Sequence, residues 1–212
     1  KDMIESLNVP HPEVDLLVVN GQSVNFDAIV GDGDTIDVYP SHYPCSITPR
    51  VDLRPPLTDK PRFILDTHLG RLAAYLRMAG FDTLYRNDYP DDVLAQVAFN
   101  ENRVLLTRDI GLLKRSLVQH GYFVRETNPR RRLLEITRRF ELGAHSSQLT
   151  RCTRCNGLLK PVQKADILPL LRDRTASHYD TFFQCHTCGQ IYWKGSHYER
   201  TQSLLREALG TA

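Results

Sequence analysis

The sequence of 212 residues has no long hydrophobic run and few cysteines, and both absences exclude classes of protein. Its longest apolar block, Val14 to Val19, is the size of a strand, whereas a membrane helix needs about 20 apolar residues. The amino end lacks the apolar segment of a signal peptide, so we expect a cytoplasmic protein. Four of the five cysteines form two Cys-x₂-Cys pairs, which indicates a metal site rather than a disulfide framework.

An excess of one charge is also lacking overall, but the charges are unevenly distributed. Residues 1–60 hold 4 basic and 10 acidic side chains, whereas residues 101–160 hold 13 basic and 5 acidic ones. An acidic head followed by a basic body indicates separate modules, the second facing a polyanion such as nucleic acid. The alternative is a solvated helix face formed by Arg130, Arg131, Arg132, Arg138 and Arg139.

Proline marks the first boundary, because 6 of the 12 prolines fall between Pro40 and Pro61. This stretch has little hydrophobic periodicity and is typical of an extended linker, which also contains the fifth cysteine, Cys45. We therefore predict four parts: a small module at 1–43, a linker at 44–61, an α/β domain at 62–148, and a zinc ribbon with a carboxyl-terminal helix at 149–212.

Residues 1–43 contain a short helix, the strand VDLLVV, a turn at Asn20, and a last strand in which Ile36 and Val38 alternate with polar residues. With LLVVNG and DGDTIDVYP, this order resembles the β-grasp, ubiquitin-like fold of the sulfur carriers. That fold opens with a β-hairpin, which these residues do not supply, so we expect a partial domain. The Gly-Gly end of the sulfur carriers is also missing. A role in docking to a protein or a ribosome is therefore expected, and a sulfur-carrier fusion is the weaker alternative.

Strands and helices alternate after Arg62. The apolar strands RFILD and RVLLTRD end at Asp66 and Asp109, and amphipathic helices are predicted at LGRLAAYLRMAG, PDDVLAQVAFNEN and IGLLKRSLVQHG. A basic amphipathic helix follows at PRRRLLEITRRFEL. This alternation predicts an α/β fold with a mainly parallel sheet flanked by helices.

Sites in open α/β sheets lie at the carboxyl ends of the strands, where Asp66 and Asp109 stand. Asp91, with Asp92 beside it, begins an intervening helix and could converge on the same crevice. Clustered carboxylates require a hard cation such as Mg²⁺ or Mn²⁺, and such a site suits hydrolysis of phosphodiester bonds. The alternative for Asp91, Asp92 and Asp109 is helix capping.

Cys152, Cys155, Cys185 and Cys188 form Cys-x₂-Cys twice, an arrangement that suits a tetrahedral Zn²⁺ ion. The closed four-cysteine shell predicts a structural rather than a catalytic ion. The two pairs are separated by more than the common ribbon spacing of about 15–20 residues, so we expect an insertion at KADILPLLRDR.

The segments FILDTHLGRLAAYLRMAGFDTLYRND and DDVLAQVAFNENRVLLTRD, the two cysteine pairs and YWKGSHYER together resemble the Mut-seven C-terminal RNase family. This resemblance implies a PIN-like nuclease domain followed by a zinc ribbon, and bacterial members often carry an amino-terminal β-grasp domain. It also implies catalytic, Mg²⁺- or Mn²⁺-binding acids at Asp66, Asp91 and Asp109, with Asp92 as their neighbour. Further implied are phosphate-binding arginines near the site, for which surface ion pairs are the alternative: Arg71, Arg77 and Arg108.

Aromatic and basic residues supply the remaining predicted RNA contacts. Trp193 and Lys194 could meet unpaired bases and phosphate, and Arg131 and Arg138 lie on the basic helix. The alternative for Trp193 is packing of the ribbon. The sequence therefore predicts a metal-dependent ribonuclease acting on RNA, and the leading alternative is a non-catalytic RNA- or ribosome-binding adaptor with a vestigial acidic pocket.

Overall fold

A computed structural model describes residues 1–40, 46–147 and 149–209, including all of their side chains except those of His197 and Arg200. Cys45 and the predicted boundaries at 43/44 and 148/149 lie wholly or partly outside the described residues. The chain divides into two compact units, residues 1–67 with 85–125 and residues 68–84 with 126–212. No helix in the described ranges is both long and apolar enough to cross a membrane.

The first unit begins with a small antiparallel sheet. Helix α1 (Asp2–Ser6) precedes strands β1 (Val14–Val19), β2 (Gln22–Val24) and β3 (Ile36–Pro40), which are arranged in the order β2-β1-β3. The β1–β2 hairpin turns at Asn20-Gly21, where both residues have positive φ, as in a type I′ turn. A small apolar core forms beneath the sheet from Ile4, Val14 and Leu17.

The larger sheet confirms the predicted α/β fold. It contains β4 (Phe63–Leu65), β5 (Thr83–Tyr85), β6 (Val104–Thr107) and β7 (Gly121–Phe123) in the order β5-β4-β6-β7. Strand β6 pairs in parallel with both β4 and β7. The buried run in β4 and β6 is continuous because both faces of a parallel sheet are covered. The helices that alternate with these strands are α2 (Gly70–Met78), α3 (Asp91–Asn100), α4 (Ile110–Leu113) and α5 (Pro129–Arg139).

The predicted helix at IGLLKRSLVQHG is wrong in length. Helix α4 ends at Leu113, and the chain continues in i→i+3 turns, with the amide of Val118 bonded to the carbonyl of Arg115. These turns carry Val118 into the core, where it is fully buried. Gly121 follows as the start of β7, and a Cβ there would lie 2.6 Å from Cδ2 of Leu113, so a larger residue would require the Leu113 side chain to shift.

The second unit ends in an antiparallel ribbon. Its strands β8 (Leu159–Val162), β9 (Phe182–Cys185) and β10 (Ile191–Trp193) lie in the order β10-β9-β8. The predicted insertion lies between β8 and β9 and forms the short helices α6 (Lys164–Ile167) and α7 (Asp173–His178). Helix α8 (Ser196–Leu209) follows the ribbon and packs against α5.

Buried histidines make the first unit sensitive to acid. Burial, together with the charge of Arg54, lowers the pKa of His120 to about 4, and its Nε2 atom has no hydrogen-bond partner among the described residues. Burial also lowers the pKa of His11. The unfolded chain therefore binds protons at a higher pH than the folded chain, so stability falls as the pH drops from about 6.5 towards 4.

Between pH 7 and pH 5, protonation of His120 in the unfolded chain should cost the wild type about 2 kcal/mol of stability. We expect His120→Phe to lack this part of the loss. Urea unfolding followed by circular dichroism at both pH values measures this loss. Because metal binding by cysteines also weakens in acid, the quantity to compare is the difference between the two proteins. An equal loss in both would contradict the assignment to His120.

Candidate metal centre and acidic site

Four cysteines gather at one end of the ribbon. Their sulfur atoms all lie within 4.8 Å of one another, with 3.6 Å between Cys152 and Cys188 and 3.4 Å between Cys155 and Cys185. A tetrahedral zinc ion with Zn–S bonds of about 2.3 Å places its sulfurs about 3.8 Å apart. The four sulfurs are therefore close enough to hold a metal such as zinc, and too far apart for disulfides, whose S–S bond is about 2.05 Å.

Two glycines allow the cysteine turns to form this cluster. A Cβ added at Gly157 would come within 2.4 Å of the Thr187 hydroxyl oxygen and 3.0 Å of the Cys185 sulfur, so a side chain at this position would separate the two turns. Gly189 has open space around it but a φ of +71°, which glycine adopts without steric cost. One glycine therefore provides space and the other provides backbone geometry.

The backbone around Cys185 favours its thiolate. Burial opposes ionisation, but N–H groups of Cys188 and Thr187, together with the thiols of Cys155 and Cys188, outweigh it and lower the pKa of Cys185 to about 7. The thiolate is the form of cysteine that binds a metal. Four cysteine sulfurs are soft ligands, and they suit a cation that binds such ligands, for example zinc.

Arg77 fixes the first cysteine turn. It lies in the last turn of α2, is only 5% exposed, and donates from Nε to the carbonyl of Thr83 at 2.8 Å. One of its terminal nitrogens donates to the carbonyls of Thr153 and Arg154, at 3.0 and 3.1 Å, which lie between the two cysteines of the first pair. This burial argues against the predicted contact of Arg77 with RNA, because its donors already serve the backbone.

Asn156 connects the same turn to the segment after α2. Its Oδ1 accepts the N–H of Thr83 at 3.0 Å, and its Nδ2 donates to Asp82 at 2.8 Å. Asp82 also pairs with Arg151 at 3.2 Å. Sequence reasoning missed these residues because the partners are about 70 positions apart and no motif spacing relates them.

Tyr192 contributes its hydroxyl to the cysteine cluster. The hydroxyl accepts the N–H of Thr153 at 3.1 Å and lies 3.0 Å from the sulfur of Cys152. Burial raises the pKa of Tyr192 to about 12, so the phenol keeps its proton at neutral pH. Such contacts to a ligand atom orient it for the metal.

Asp66 and Asp109 follow the adjacent parallel strands β4 and β6. The hydroxyl of Thr107 donates to Oδ2 of Asp66 at 2.7 Å and accepts the N–H of Asp109 at 2.9 Å. Thr107 is fully buried at the end of β6, so this hydroxyl is held in place. Oδ1 of Asp66 accepts the N–H of Thr67 at 2.5 Å. A carboxylate has about four lone-pair sites, so Asp66 keeps capacity for a further ligand.

Asp109 caps helix α4, as the capping alternative predicted. Its Oδ1 accepts the N–H groups of Gly111 and Leu112, at 2.6 and 3.2 Å. No residue in the described part of the chain donates a hydrogen bond to its Oδ2. The cap therefore orients the carboxylate and leaves one oxygen for a ligand.

Asp91 and Asp92 stand apart from this pair. Both are exposed in the first turn of α3, but the N-cap position is Pro90 and neither carboxylate caps the helix, so that alternative is wrong. Asp91 lies 3.8 Å from Arg115. Within the described residues, no three of the predicted acids form a group as tight as the cysteines. The structure links Asp66 to Asp109 and shows no such link to the other two.

The other predicted RNA contacts are mostly exposed cations. Arg108 donates from one terminal nitrogen to the carbonyls of Val124 and Arg125, at 3.2 Å each, beyond the end of β7. Trp193 is half-buried and packs against Phe182 within the ribbon, with ring centroids 6.4 Å apart, which fits its packing alternative. The remaining cations are exposed: Arg71, Arg131, Arg138 and Lys194.

The fold and the site define an α/β protein with a cysteine ribbon. Its parallel sheet carries polar side chains at the carboxyl edge, and the four-cysteine ribbon follows in the chain. A family model described as Mut7-C RNAse domain matches residues 61–205, and one described as Mut7-C ubiquitin matches residues 1–46. The chain therefore belongs to the Mut7-C RNAse domain family, which confirms the resemblance found in the sequence. Searches of the curated proteins and of the solved structures found no match.

We expect Arg77→Met to loosen the cysteine cluster, because it removes the donor shared by three backbone carbonyls, one in a buried contact and two in partly buried ones. The expected loss of stability is about 2–4 kcal/mol, with faster transfer of zinc to a chelator. Thermal unfolding and a colorimetric zinc-release assay measure the two effects. Arg71→Met, at an exposed position of the same helix, is the matched control. Equal zinc release from both variants would contradict the role given to Arg77.

Proposed function

We propose that this chain is a metal-dependent ribonuclease that hydrolyses RNA phosphodiester bonds at the carboxyl edge of its parallel sheet. The observation that carries this proposal is the match of residues 61–205 to the Mut7-C RNAse domain, which gives the chain a nuclease-type, RNA-related function. The position of Asp66 and Asp109, at the sheet edge where α/β folds carry their sites, supports it.

The proposed ion is Mg²⁺ or Mn²⁺, held by Asp66 and Asp109, with Asp91 and Asp92 as further candidates. Carboxylate oxygens are the ligands that these hard cations prefer, and Mg²⁺ commonly binds through one or two carboxylates and keeps several waters. Two linked aspartates therefore suit it. A bound ion would supply an activated water and neutralise charge on the phosphate.

The residues of the chain have separate tasks in this mechanism. Thr107 holds the Asp66 carboxylate in one orientation, and the α4 cap does the same for Asp109. Arg108, in the same unit, is proposed to bind the phosphate through its guanidinium. Attack of water in line with the leaving 3′ oxygen gives a 5′-phosphate and a 3′-hydroxyl. On the second unit, the proposed RNA contacts are Arg71, Arg131, Arg138, Trp193 and Lys194.

The four cysteines are proposed to hold a structural zinc ion. Four thiolates complete a tetrahedral shell and leave no open position for a substrate or a water. The ribbon strands are only three or four residues long, so a metal supplies stability that so small a sheet cannot obtain from its own core.

Cleavage of an end-labelled mixed RNA pool with Mn²⁺ tests the function. We expect Asp66→Asn and Asp109→Asn to reduce cleavage by more than about 100-fold, because groups outside the ligand shell already account for 10–100-fold. RNA binding and zinc content should be unchanged. Products ending in a 2′,3′-cyclic phosphate would contradict the mechanism, since they arise from attack by the 2′-hydroxyl.

Thr107 gives a second, milder test. Thr107→Val keeps the shape of the side chain but removes the hydroxyl between Asp66 and Asp109, so we expect cleavage to fall by about 10–100-fold. Thr107→Ser keeps the hydroxyl and serves as the matched control. If both variants cleave RNA at the wild-type rate, the bridge has no part in the reaction.

A wild type that binds RNA equally with and without Mn²⁺ and never cleaves it would instead indicate a non-catalytic RNA- or ribosome-binding adaptor. The exposed, separate positions of Asp91 and Asp92 are the observation that favours this second candidate. Under either function, the Mut7-C ubiquitin region is proposed to dock onto a protein or a ribosome.

A further inference from the structure

The second unit contains a groove that the proposed hydrolysis step does not use, although two of the proposed RNA contacts, Trp193 and Lys194, line it. Its central cavity has a volume of about 710 Å³ and lies between α7 of the insertion and strand β10. Two side cavities continue it, one sharing Arg172 and Trp193 with the centre and the other sharing Leu159 and Tyr198. We call these three cavities the ribbon groove. The central volume falls within the range of about 300–1,000 Å³ that is usual for small-ligand sites.

The charges of the ribbon groove have one sign. Among the described residues that line its three cavities, none is an aspartate or a glutamate, whereas five carry a permanent positive charge. In the structure as described, only one of the five has an ion-pair partner, Arg151 with Asp82. A groove of this kind attracts an anionic ligand. The five cations are Arg151, Lys160, Arg172, Arg174 and Lys194.

The same groove presents aromatic rings. Tyr179 and Trp193 line the central cavity with ring centroids 6.3 Å apart and planes tilted by 44°, and both are half-buried. Arg172 and Arg174 are exposed at its rim. Aromatic rings beside cations are the combination by which proteins bind single-stranded nucleic acid, since bases stack on the rings and phosphates meet the charges.

We propose that the ribbon groove binds single-stranded RNA, with one unpaired base against Trp193 and Tyr179 and the flanking phosphates on Arg172 and Arg174. This inference rests on the proposed ribonuclease function and names the form of its substrate. It also gives a role to the insertion between the cysteine pairs, because that segment supplies Arg172, Arg174 and Tyr179.

Trp193 is the only tryptophan of the chain, so its fluorescence reports on this groove alone. The experiment titrates the full chain, loaded with zinc and without Mg²⁺ or Mn²⁺, with an unstructured RNA of about 12 nucleotides. We expect the RNA to quench Trp193. A polyglutamate peptide of equal charge should not quench it, because it has no base to stack.

The double variant Arg172→Ala with Arg174→Ala removes two exposed cations from the rim. Its affinity for a labelled RNA, measured by fluorescence anisotropy, is compared with that of the wild type. Loss of two phosphate contacts should weaken binding roughly 20-fold at 0.1 M salt and reduce the salt dependence of log K by about 1.4. The matched control, Arg50→Ala with Arg206→Ala, removes the same charge from exposed positions outside the groove and should bind as the wild type does.

The outcomes separate this inference from the proposed function. Quenching by RNA, with weaker binding only in the groove variant, supports the inference. If the wild type cleaves RNA with Mn²⁺ while the groove variant binds RNA normally, the groove inference is overturned and the ribonuclease stands. Equal quenching by polyglutamate overturns it in favour of an acidic protein partner. A wild type that neither binds nor cleaves RNA overturns both.

Discussion

The convergence of four cysteine sulfurs is the constraint on which the second unit depends. Sulfurs from turns 30 residues apart come within 4.8 Å of one another, close enough to hold a metal ion, and the ribbon strands that carry them are short. Several polar contacts near the first turn support this convergence. Arg77 binds its backbone carbonyls, and Asn156 connects it to the N–H of Thr83. Tyr192 contacts a sulfur, and Gly157 leaves the space that the second turn fills.

The acidic edge of the parallel sheet is organised by one hydroxyl. Thr107 lies fully buried at the end of β6. Its hydroxyl forms hydrogen bonds with the carboxylate of Asp66, after β4, and with the N–H of Asp109, after β6. Asp109 combines two tasks, because capping α4 engages one carboxylate oxygen and orients the other. The capping and ligand roles of Asp109 are therefore compatible, although the sequence presents them as alternatives.

The insertion between the cysteine pairs shows that a departure from the usual ribbon spacing can have a structural role. In the sequence it is only an excess over the usual ribbon length, whereas in the structure it forms one wall of a cationic, aromatic groove. Trp193 packs against Phe182 of the ribbon and also lines the groove, so its packing is compatible with the RNA contact proposed for it.

Features that depend on local pattern could be predicted from the amino-acid sequence alone. Alternating apolar strands and amphipathic helices predicted the parallel sheet, and the two Cys-x₂-Cys pairs predicted the cysteine cluster, because both patterns are formed by neighbours within a few residues. Three other features became visible only in the folded chain. Arg77 is buried and binds the first cysteine turn, Thr107 links two aspartates, and α4 ends at Leu113. Each of these depends on the packing of distant segments and on which donors find an acceptor there, and no local periodicity records such contacts.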